Sequence, residues 1–191
     1  MAKRSLKPKL VVMTIGHSNR PLETFLSLLK AHDVKQVIDV RTIPRSRHNP
    51  QFNRDTLPAE LRAAKILYRH MPGLGGLRKP LRDSLNAAWK SLAFRGFADY
   101  MQTKEFTISL AKLMKLAAAK QVALMCAEAV PWRCHRSLIA DALAIRGCQV
   151  EHIITGTFRR THQLTPFARV EGKHINYPPE SPALDERPEI F

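Results

Sequence analysis

Residues 121–156 read QVALMCAEAVPWRCHRSLIADALAIRGCQVEHIITG, and this stretch decides which fold the chain can adopt. Residues 122–125 form an apolar run of strand length, and a loop containing Pro131 follows. Apolar residues then recur at helical spacing until Gly147, a residue type that commonly ends helices. Residues 150–154 form a second apolar run, rich in β-branched residues. The stretch therefore predicts a strand–loop–helix–strand unit whose two strands run parallel in a sheet covered by helices.

The loop of this unit carries the chemistry. Cys126 ends the first strand, Glu128 lies just beyond it, and Cys134, His135 and Arg136 open the helix. Open parallel sheets bind ligands at the carboxyl ends of their strands. A helix N-terminus presents unpaired N–H groups, which favour an anion or a thiolate. We therefore interpret the loop as a candidate reactive pocket.

The first part of the chain repeats this arrangement. Residues 10–15 and 37–40 are apolar runs of strand length, and a helical pattern lies between them. The predicted fold is therefore α/β, with a mainly parallel sheet and helices on both faces. This is a three-layer arrangement of the Rossmann-like or flavodoxin-like kind, with the site at the carboxyl ends of the strands.

Polar residues follow both of these runs. His17 and Ser18 come after the first run, and Asp39 and Arg41 stand at the end of the second. Because parallel strands place their carboxyl ends at one edge of a sheet, we expect these residues to lie beside Cys126.

The length of 191 residues predicts one α/β domain over residues 1–178, whose first nine residues form a basic arm. Residues 179–191 are rich in proline and acidic residues, and we expect an extended or disordered tail there. No apolar stretch approaches the length of a membrane-spanning helix. Three cysteines, an odd number, do not make a disulfide framework. We therefore expect a cytoplasmic protein with reduced thiols and no membrane association.

Basic residues outnumber acidic residues by 31 to 16, and the formal net charge is +15. Such a charge favours a phosphate-bearing substrate or a polyanionic partner, although a soluble protein can also be merely basic. Residues 41–82 alone hold ten basic and two acidic residues. The predicted partner is an anionic small molecule or a nucleic acid. No motif identifies a cofactor or an oligomeric state.

Each cysteine of the loop has more than one interpretation. Cys126 is either a nucleophile, whose thiolate neighbouring basic groups stabilise, or a small buried residue at a strand end. Cys134 is equally a candidate thiolate, with Cys126 as its resolving partner. A zinc site is the rival use of both thiols, with His135 and His17 or His152 as further ligands. No short Cys-x-x-Cys pair supports it, and we predict no metal.

The other candidates also have alternatives. Glu128 is a general acid or base, or it accepts hydrogen bonds from Arg41 or Arg136. Asp39 is a catalytic carboxylate, or it orders Arg41. His17 acts as a base or binds phosphate, or it is an ordinary loop histidine.

Guanidinium groups bind oxyanions bidentately, and aromatic rings stack on bases. The candidate catalytic residues are Cys126, Glu128, Cys134, His135, Asp39 and His17. The candidate anion- or substrate-binding residues are Ser18, Arg41, Arg45, Tyr68, Gly75, Gly76, Trp132 and Arg136. The loop PGLGG (72–76) matches no phosphate-binding pattern, and we interpret it as a turn that needs flexible or left-handed backbone.

Several short segments occur in an order that resembles a known family. They are TIGHSN (14–19), DVR (39–41), LGG (74–76), FADYM (97–101), CAE (126–128), CHR (134–136) and YP (177–178). The ordered set resembles the bacterial and archaeal domain-of-unknown-function family 488, from about residue 14 to residue 178. The resemblance implies a compact α/β domain and no particular reaction.

A wider similarity concerns the order of strand, Cys126, loop and helix, which is similar to that of rhodanese-like and cysteine-phosphatase domains. In those domains a cysteine after a strand lies in a loop of N–H groups that cradles an anion. The loop here is longer, contains Pro131 and Trp132, and ends in a second cysteine. Sulfur transfer or phosphatase activity therefore does not follow from this similarity.

The leading hypothesis is an enzyme of an uncharacterised family. It acts on a nucleotide, a nucleic acid or another anionic substrate in a pocket lined by cysteine, glutamate, histidine and arginine. One alternative is a non-catalytic nucleic-acid-binding module that uses the N-terminal arm and residues 41–82. Another alternative is a metal-binding or redox-sensing protein.

Overall fold

Six strands form the main sheet of the computed structural model, which describes residues 9–179. They are β1 (Val11–Gly16), β2 (Gln36–Asp39), β3 (Leu67–His70), β4 (Val122–Cys126), β5 (Gln149–Ile153) and β6 (Arg159–Thr161). Their order across the sheet is β3-β2-β4-β1-β5-β6. The first five strands are parallel, and β6 pairs antiparallel with β5 at the edge. Apart from residues 9 and 179, the predicted arm and tail lie outside the described residues.

The α-helices of residues 9–179 are divided between the two faces of this sheet. They are α1 (Leu22–Ala31), α2 (Leu57–Ala63), α3 (Leu92–Tyr100), α4 (Lys104–Ala119) and α5 (Arg136–Ala144), and short 3₁₀ helices span Pro50–Phe52, Pro72–Leu74 and Pro131–Arg133. Successive strand residues point to opposite faces, so Val12 packs in the core with α3, α4 and α5, while Met13 packs with α1 and α2. The predicted three-layer α/β fold is confirmed. Within residues 9–179, no helix combines the length and apolar composition needed to cross a membrane.

Local sequence explains where these helices begin and end. Thr103 caps α4, because its side chain accepts a hydrogen bond from the backbone N–H of Phe106 over 3.2 Å. Leu110 and Leu113 continue the apolar face of α4 into the core. Gly147 follows α5 with a φ of +83°, the left-handed conformation that glycine adopts after helices.

The strand order places Cys126 at the centre of the carboxyl edge. β4 lies between β1 and β2, and β1 lies between β4 and β5. Both predicted crossovers therefore join parallel strands that are not adjacent. Gly16 is opposite Cys126 in the register, and Asp39 is opposite Met125. The ends of β1, β4 and β2 consequently meet side by side.

The loop PGLGG (72–76) was predicted to be a turn that needs flexible or left-handed backbone. It contains the Pro72–Leu74 turn, Gly75 has a φ of −74°, and none of its three glycines has a positive φ. The left-handed alternative was therefore wrong, because glycine is also required where a Cβ atom would collide. At Gly75 a Cβ would lie 2.5 Å from Oγ1 of Thr42.

The chain beyond β5 completes the molecule with short strands. β7 (Arg169–Glu171) and β8 (His174–Asn176) form a separate antiparallel hairpin. Tyr177 then enters the core, and its hydroxyl donates to the buried carboxylate of Asp141 on α5 over 2.8 Å. A strand of three residues is too short to show an alternation of apolar and polar residues, so the sequence predicted none of these strands.

Candidate active site at the carboxyl ends of β1, β2 and β4

Two cysteines and a histidine form the centre of the site. Cys126 ends β4, and Cys134 and His135 immediately precede α5. Their two Sγ atoms and one ring nitrogen lie within 4.8 Å of one another. Nδ1 of His135 is 3.6 Å from Sγ of Cys134 and 4.0 Å from Sγ of Cys126. Both thiols are free and buried. The distances show that the loop brings the two predicted cysteines together.

A backbone contact fixes the hydrogen on one nitrogen of His135. Nε2 lies 3.1 Å from the carbonyl oxygen of Val40, which only accepts hydrogen bonds, so Nε2 carries a hydrogen. In the neutral ring, Nδ1 then holds the lone pair that faces both thiols. Nδ1 can therefore take the proton of Cys134 and donate it back in a hydrogen bond to the thiolate, with no movement of heavy atoms.

Arg136 is a buried charge that lacks a carboxylate partner among residues 9–179. Its side chain is 1% exposed, and it takes part in none of the ion pairs of that segment. Nε donates to Sγ of Cys134 over 3.4 Å, and Nη2 donates to the carbonyl oxygen of Glu128. A buried guanidinium requires a negative partner. The neighbouring group that can become an anion is the Cys134 thiol.

The surroundings separate the pKa values of the two thiols. The hydrogen bond from Cys126 is the largest influence that holds the pKa of Cys134 well below its usual range. His135 and Arg136 lower that pKa further, against the opposing effect of burial. The same hydrogen bond, together with burial, raises the pKa of Cys126. Of the two thiols, Cys134 is therefore the one whose ionisation the surroundings favour.

Both cysteines line a mainly apolar cavity of about 320 Å³, which we call the thiol cavity. Ile43, Leu77 and Phe94 contribute its apolar lining. Apolar walls keep water away and strengthen every electrostatic interaction of a thiolate. The sequence did not indicate these three residues, because they lie in separate segments and an apolar residue carries no local signal of a site.

Gly76 gives His135 the room to face the thiols. A Cβ atom at this position would lie 2.5 Å from Nδ1 and 2.7 Å from Cγ of His135. Phe97 meets the other side of the ring edge-on, with the centroids 5.1 Å apart. Gly76, predicted as a substrate-binding residue, does line the thiol cavity, and its closest relationship is to the histidine.

A second polar cluster lies beside the thiols, at the ends of β1 and β2. Arg41 donates to both carboxylate oxygens of Asp39, at 2.9 and 2.6 Å, and also to the carbonyl oxygen of Phe52. The hydroxyl of Tyr68 donates to the same carboxylate over 2.7 Å. Asp39 is fully buried. Its geometry is that of a carboxylate that orders Arg41, which was one of its two predicted roles.

His17 completes this cluster as a neutral ring. It stacks on Phe52, and its Nδ1 donates to the carbonyl oxygen of Ser18 over 2.7 Å. Nε2 consequently accepts from Arg41, whose Nη1 lies 3.2 Å away. Burial is the main cause that lowers the pKa of His17 to about 4, and the charge of Arg41 adds to it. Both ring nitrogens are engaged, so His17 positions Arg41 instead of offering a free base.

A more polar cavity of about 380 Å³, the polar cavity, adjoins the thiol cavity and shares Arg41, Ile43, Ala127 and Glu128 with it. Ser18 and Arg45 also line it. Arg45 is exposed and lies 3.4 Å from a carboxylate oxygen of its surface neighbour Asp55. The two cavities form one cleft with an apolar half and a polar, cationic half.

The carboxylate of Glu128 is exposed, and its hydrogen bond within residues 9–179 comes from the backbone N–H of Val130 at 3.4 Å. The predicted bond from Arg136 is made to the backbone carbonyl of Glu128 instead. The carboxylate is therefore available to a ligand in the cleft.

Three predicted residues lie away from the thiols. Tyr68 supports Asp39 from β3, and Gly75 packs against Thr42. Trp132 lines a different cavity of about 490 Å³. The structure therefore gathers Cys126, Cys134 and His135 at one point and leaves these three outside it.

The segments that build this site also relate the chain to other proteins. A family model described as "Domain of unknown function DUF488" matches residues 21–143, more than half of the chain. This range holds β2, β4, both site cysteines and Arg136. No curated protein and no solved structure matches the chain. The chain therefore belongs to the domain-of-unknown-function family 488.

Proposed function

We propose that this protein is a thiol-dependent enzyme, in which the Cys134 thiolate attacks an electrophilic substrate held in the cleft. The observation that carries the proposal is the contact between Arg136 and Cys134. A guanidinium that is 1% exposed donates directly to the sulfur and has no carboxylate partner within residues 9–179. A purely structural thiol needs no such partner, whereas a nucleophilic thiol needs its negative charge stabilised.

The reaction in this proposal uses two groups of the chain. The sulfur of Cys134 forms a bond to the electrophilic atom, and the bond from that atom to its leaving group breaks, with the electron pair going to the leaving group. His135, which holds the Cys134 proton on Nδ1, transfers that proton to the leaving group. A water molecule then attacks the electrophilic atom, the bond to sulfur breaks, and the water proton returns to Nδ1. The thiolate and the protonated ring are both restored.

The two halves of the cleft support an anionic substrate. The thiol cavity has apolar walls next to the sulfur, and the polar cavity presents Ser18 and the exposed guanidinium of Arg45. The formal net charge of +15 attracts anions to the surface. The proposed substrate therefore places its reactive end beside Cys134 and a negatively charged end beside Arg45.

The test is alkylation of the folded chain by iodoacetamide between pH 5.5 and 8.5, read for each cysteine by mass spectrometry. At pH 7 we expect Cys134 to react at least about tenfold faster than Cys126. The rate at Cys134 should change little across neutral pH. Cys148 is the internal control, because it is buried, lines neither cavity of the cleft, and has a pKa that burial raises. A Cys134 rate that climbs with pH like that of an ordinary thiol would overturn the proposal.

A second candidate function is the binding of a soft metal ion, and one observation favours it. Two sulfur atoms and one imidazole nitrogen lie within 4.8 Å of one another, and the far nitrogen of that ring donates to the carbonyl oxygen of Val40. Zinc prefers this set of donors, and metal-binding histidines commonly have such a carbonyl partner. Cys126, Cys134 and His135 would hold the ion, which would supply a Lewis acid at the cleft.

Elemental analysis separates the two candidates. A metal site predicts about one zinc per purified chain, its loss in Cys126→Ser, and slow alkylation of Cys134 until a chelator is added. The thiolate enzyme predicts fast alkylation that a chelator does not change. A chain without stoichiometric metal after refolding in excess Zn²⁺ would remove the metal candidate.

A further inference from the structure

The cavity of about 490 Å³ lies apart from the thiols, beside β5, β6 and the start of α5. Its lining includes Trp89, Trp132, Arg160 and Phe167, and neither site cysteine belongs to it. Its volume falls within the usual range for small-molecule sites, and aromatic side chains are typical of their walls. None of these four residues takes part in the proposed thiol chemistry.

A cation without a carboxylate partner in the described chain lies at this cavity. The guanidinium of Arg160 stacks over the ring of Trp132, with its carbon 5.1 Å from the ring centroid. The adjacent Arg159 forms an ion pair with Glu151 over 3.0 Å, whereas Arg160 joins none of the ion pairs among residues 9–179. The guanidinium of Arg160 is therefore free to bind an anion while it stays stacked on the ring of Trp132.

The ring of Trp89 lines the same cavity, whereas its N–H is buried. The Nε1 atom of Trp89 is inaccessible to solvent and has no hydrogen-bond partner within residues 9–179. The ring itself is well packed against Phe94 and Phe167, with centroids 4.7 and 5.0 Å away. Buried donors are nearly always satisfied in native proteins. Because solvent does not reach this atom, a ligand in the cavity does not reach it either, and Trp89 offers the cavity only the apolar surface of its ring.

The histidines at the cavity contribute ring surface and no free polar group. His152 and His162 contact each other through Nε2 and Nδ1 at 3.1 Å. Their outer nitrogens contact Oγ1 of Thr14 at 2.7 Å and the carboxylate of Asp141 at 2.8 Å. Every ring nitrogen is thus engaged within the protein. The polar contacts left for a ligand are Arg160 and the neighbouring hydroxyl and amide side chains.

We propose that this cavity binds a mononucleotide. The base lies against the aromatic walls, and the phosphate pairs with Arg160. A nucleotide combines the planar ring and the anion that these two features favour. This site goes beyond the proposed thiol enzyme and does not depend on it.

Intrinsic fluorescence tests the proposal directly, because the chain has two tryptophans and both line this cavity. The probes are AMP and UMP, with adenosine and inorganic phosphate as the separate halves, titrated into the full chain. We expect saturable quenching by a nucleotide and weaker binding of each half. Arg160→Gln should raise the Kd about tenfold, as the loss of a charged hydrogen-bond partner does. Arg159→Gln is the matched control, with the same change of charge on the next residue, and should change the Kd less than about twofold.

Calorimetry on two further variants completes the test. Trp132→Leu removes an aromatic wall and the ring under Arg160, so it should weaken nucleotide binding severalfold without a change in secondary structure by circular dichroism. Cys134→Ser should bind nucleotide normally, whatever the outcome at the thiol site. No saturable signal at millimolar nucleotide, or an equal loss in Arg159→Gln and Arg160→Gln, would overturn the proposal. Quenching by oligonucleotides alone would also overturn it and would make this face a nucleic-acid surface.

Discussion

Arg136 Nε and Cys134 Sγ lie 3.4 Å apart, and through this buried contact the guanidinium lowers the pKa of the thiol. An ionised Cys134 is in turn the negative partner that the buried guanidinium requires. Such pairs are costly to break from one side, because the remaining charge stays buried and unpaired.

The first prediction concerns the stability of this pair. Cys134→Ala should lower the free energy of unfolding by about 3 kcal/mol, since it leaves Arg136 buried without an anion. The double variant Cys134→Ala with Arg136→Met should lose less stability than the sum of the two single variants, by about 1 kcal/mol or more. The measurement is urea unfolding at pH 7.5 with a reducing agent. Additivity within about 0.5 kcal/mol would mean that the two groups carry no charge coupling.

The second prediction concerns the pKa of the thiol. Arg136→Met removes a positive charge that lowers the pKa of Cys134, so the pKa should rise and the thiolate fraction at low pH should fall. The midpoint of the alkylation profile of Cys134 should therefore move to higher pH, while that of Cys148 stays in place. An unmoved midpoint in a folded variant would assign the activation of Cys134 to Cys126 and His135 alone.

The third prediction concerns Gly76. Gly76→Ala should push His135 away from the thiols, because the new Cβ would lie 2.5 Å from Nδ1. Overpacking of this kind costs about 1–3 kcal/mol of folding free energy, and alkylation of Cys134 should slow. Gly156→Ala is the matched control, since a Cβ there has its nearest neighbour at 3.8 Å. Wild-type alkylation kinetics in Gly76→Ala would show that His135 does not activate the thiol.

The fourth prediction concerns Asp39. Asp39→Asn leaves the buried Arg41 without its carboxylate and should lower the free energy of unfolding by about 3–5 kcal/mol. Asp55→Asn removes an exposed partner of Arg45 and should change it by less than about 0.5 kcal/mol. Thermal and urea unfolding of both variants provide the comparison. Equal effects would contradict the structural role assigned to Asp39.

The fifth prediction concerns acid. Burial lowers the pKa of His17 to about 4 and that of His152 to about 3, below the ordinary value of 6.5. Between pH 6.5 and pH 4, both histidines bind protons in the unfolded chain and stay neutral in the folded chain. Folding stability therefore falls as the pH drops from about 6.5 to about 4. Above pH 6.5 these two groups contribute no pH dependence. Urea midpoints at pH 7.5, 6 and 5 should therefore decrease in that order, and His17→Gln should make the decrease shallower.

The sequence predicted the layers of the fold better than the order of its strands. The apolar runs and helical stripes fix which residues are strands and helices, because the periods of 2 and 3.6 are local properties. Strand order depends on contacts between distant segments, such as Gly16 beside Cys126. No local pattern records that β4 would lie between β1 and β2.

The site divides in the same way. Cys126, Cys134 and His135 were predicted because the end of a strand and the start of a helix place them at one edge. The bond from Arg136 to sulfur, and the engagement of Asp39 with Arg41 and not with a substrate, are matters of side-chain direction. They depend on the folded packing and could not be read from spacing.

The position of β1 at the heart of the sheet has a consequence for how the chain is made. Its sheet neighbours are β4 and β5, and Met13 pairs with Ala123, more than a hundred residues later. During synthesis, β1 therefore leaves the ribosome more than a hundred residues before β4, the first of its two sheet neighbours to be made. Native pairing with such long loops is slow, and an unpaired apolar strand aggregates readily. We therefore expect nascent chains to depend on protection of β1 by a chaperone until β4 has emerged from the ribosome.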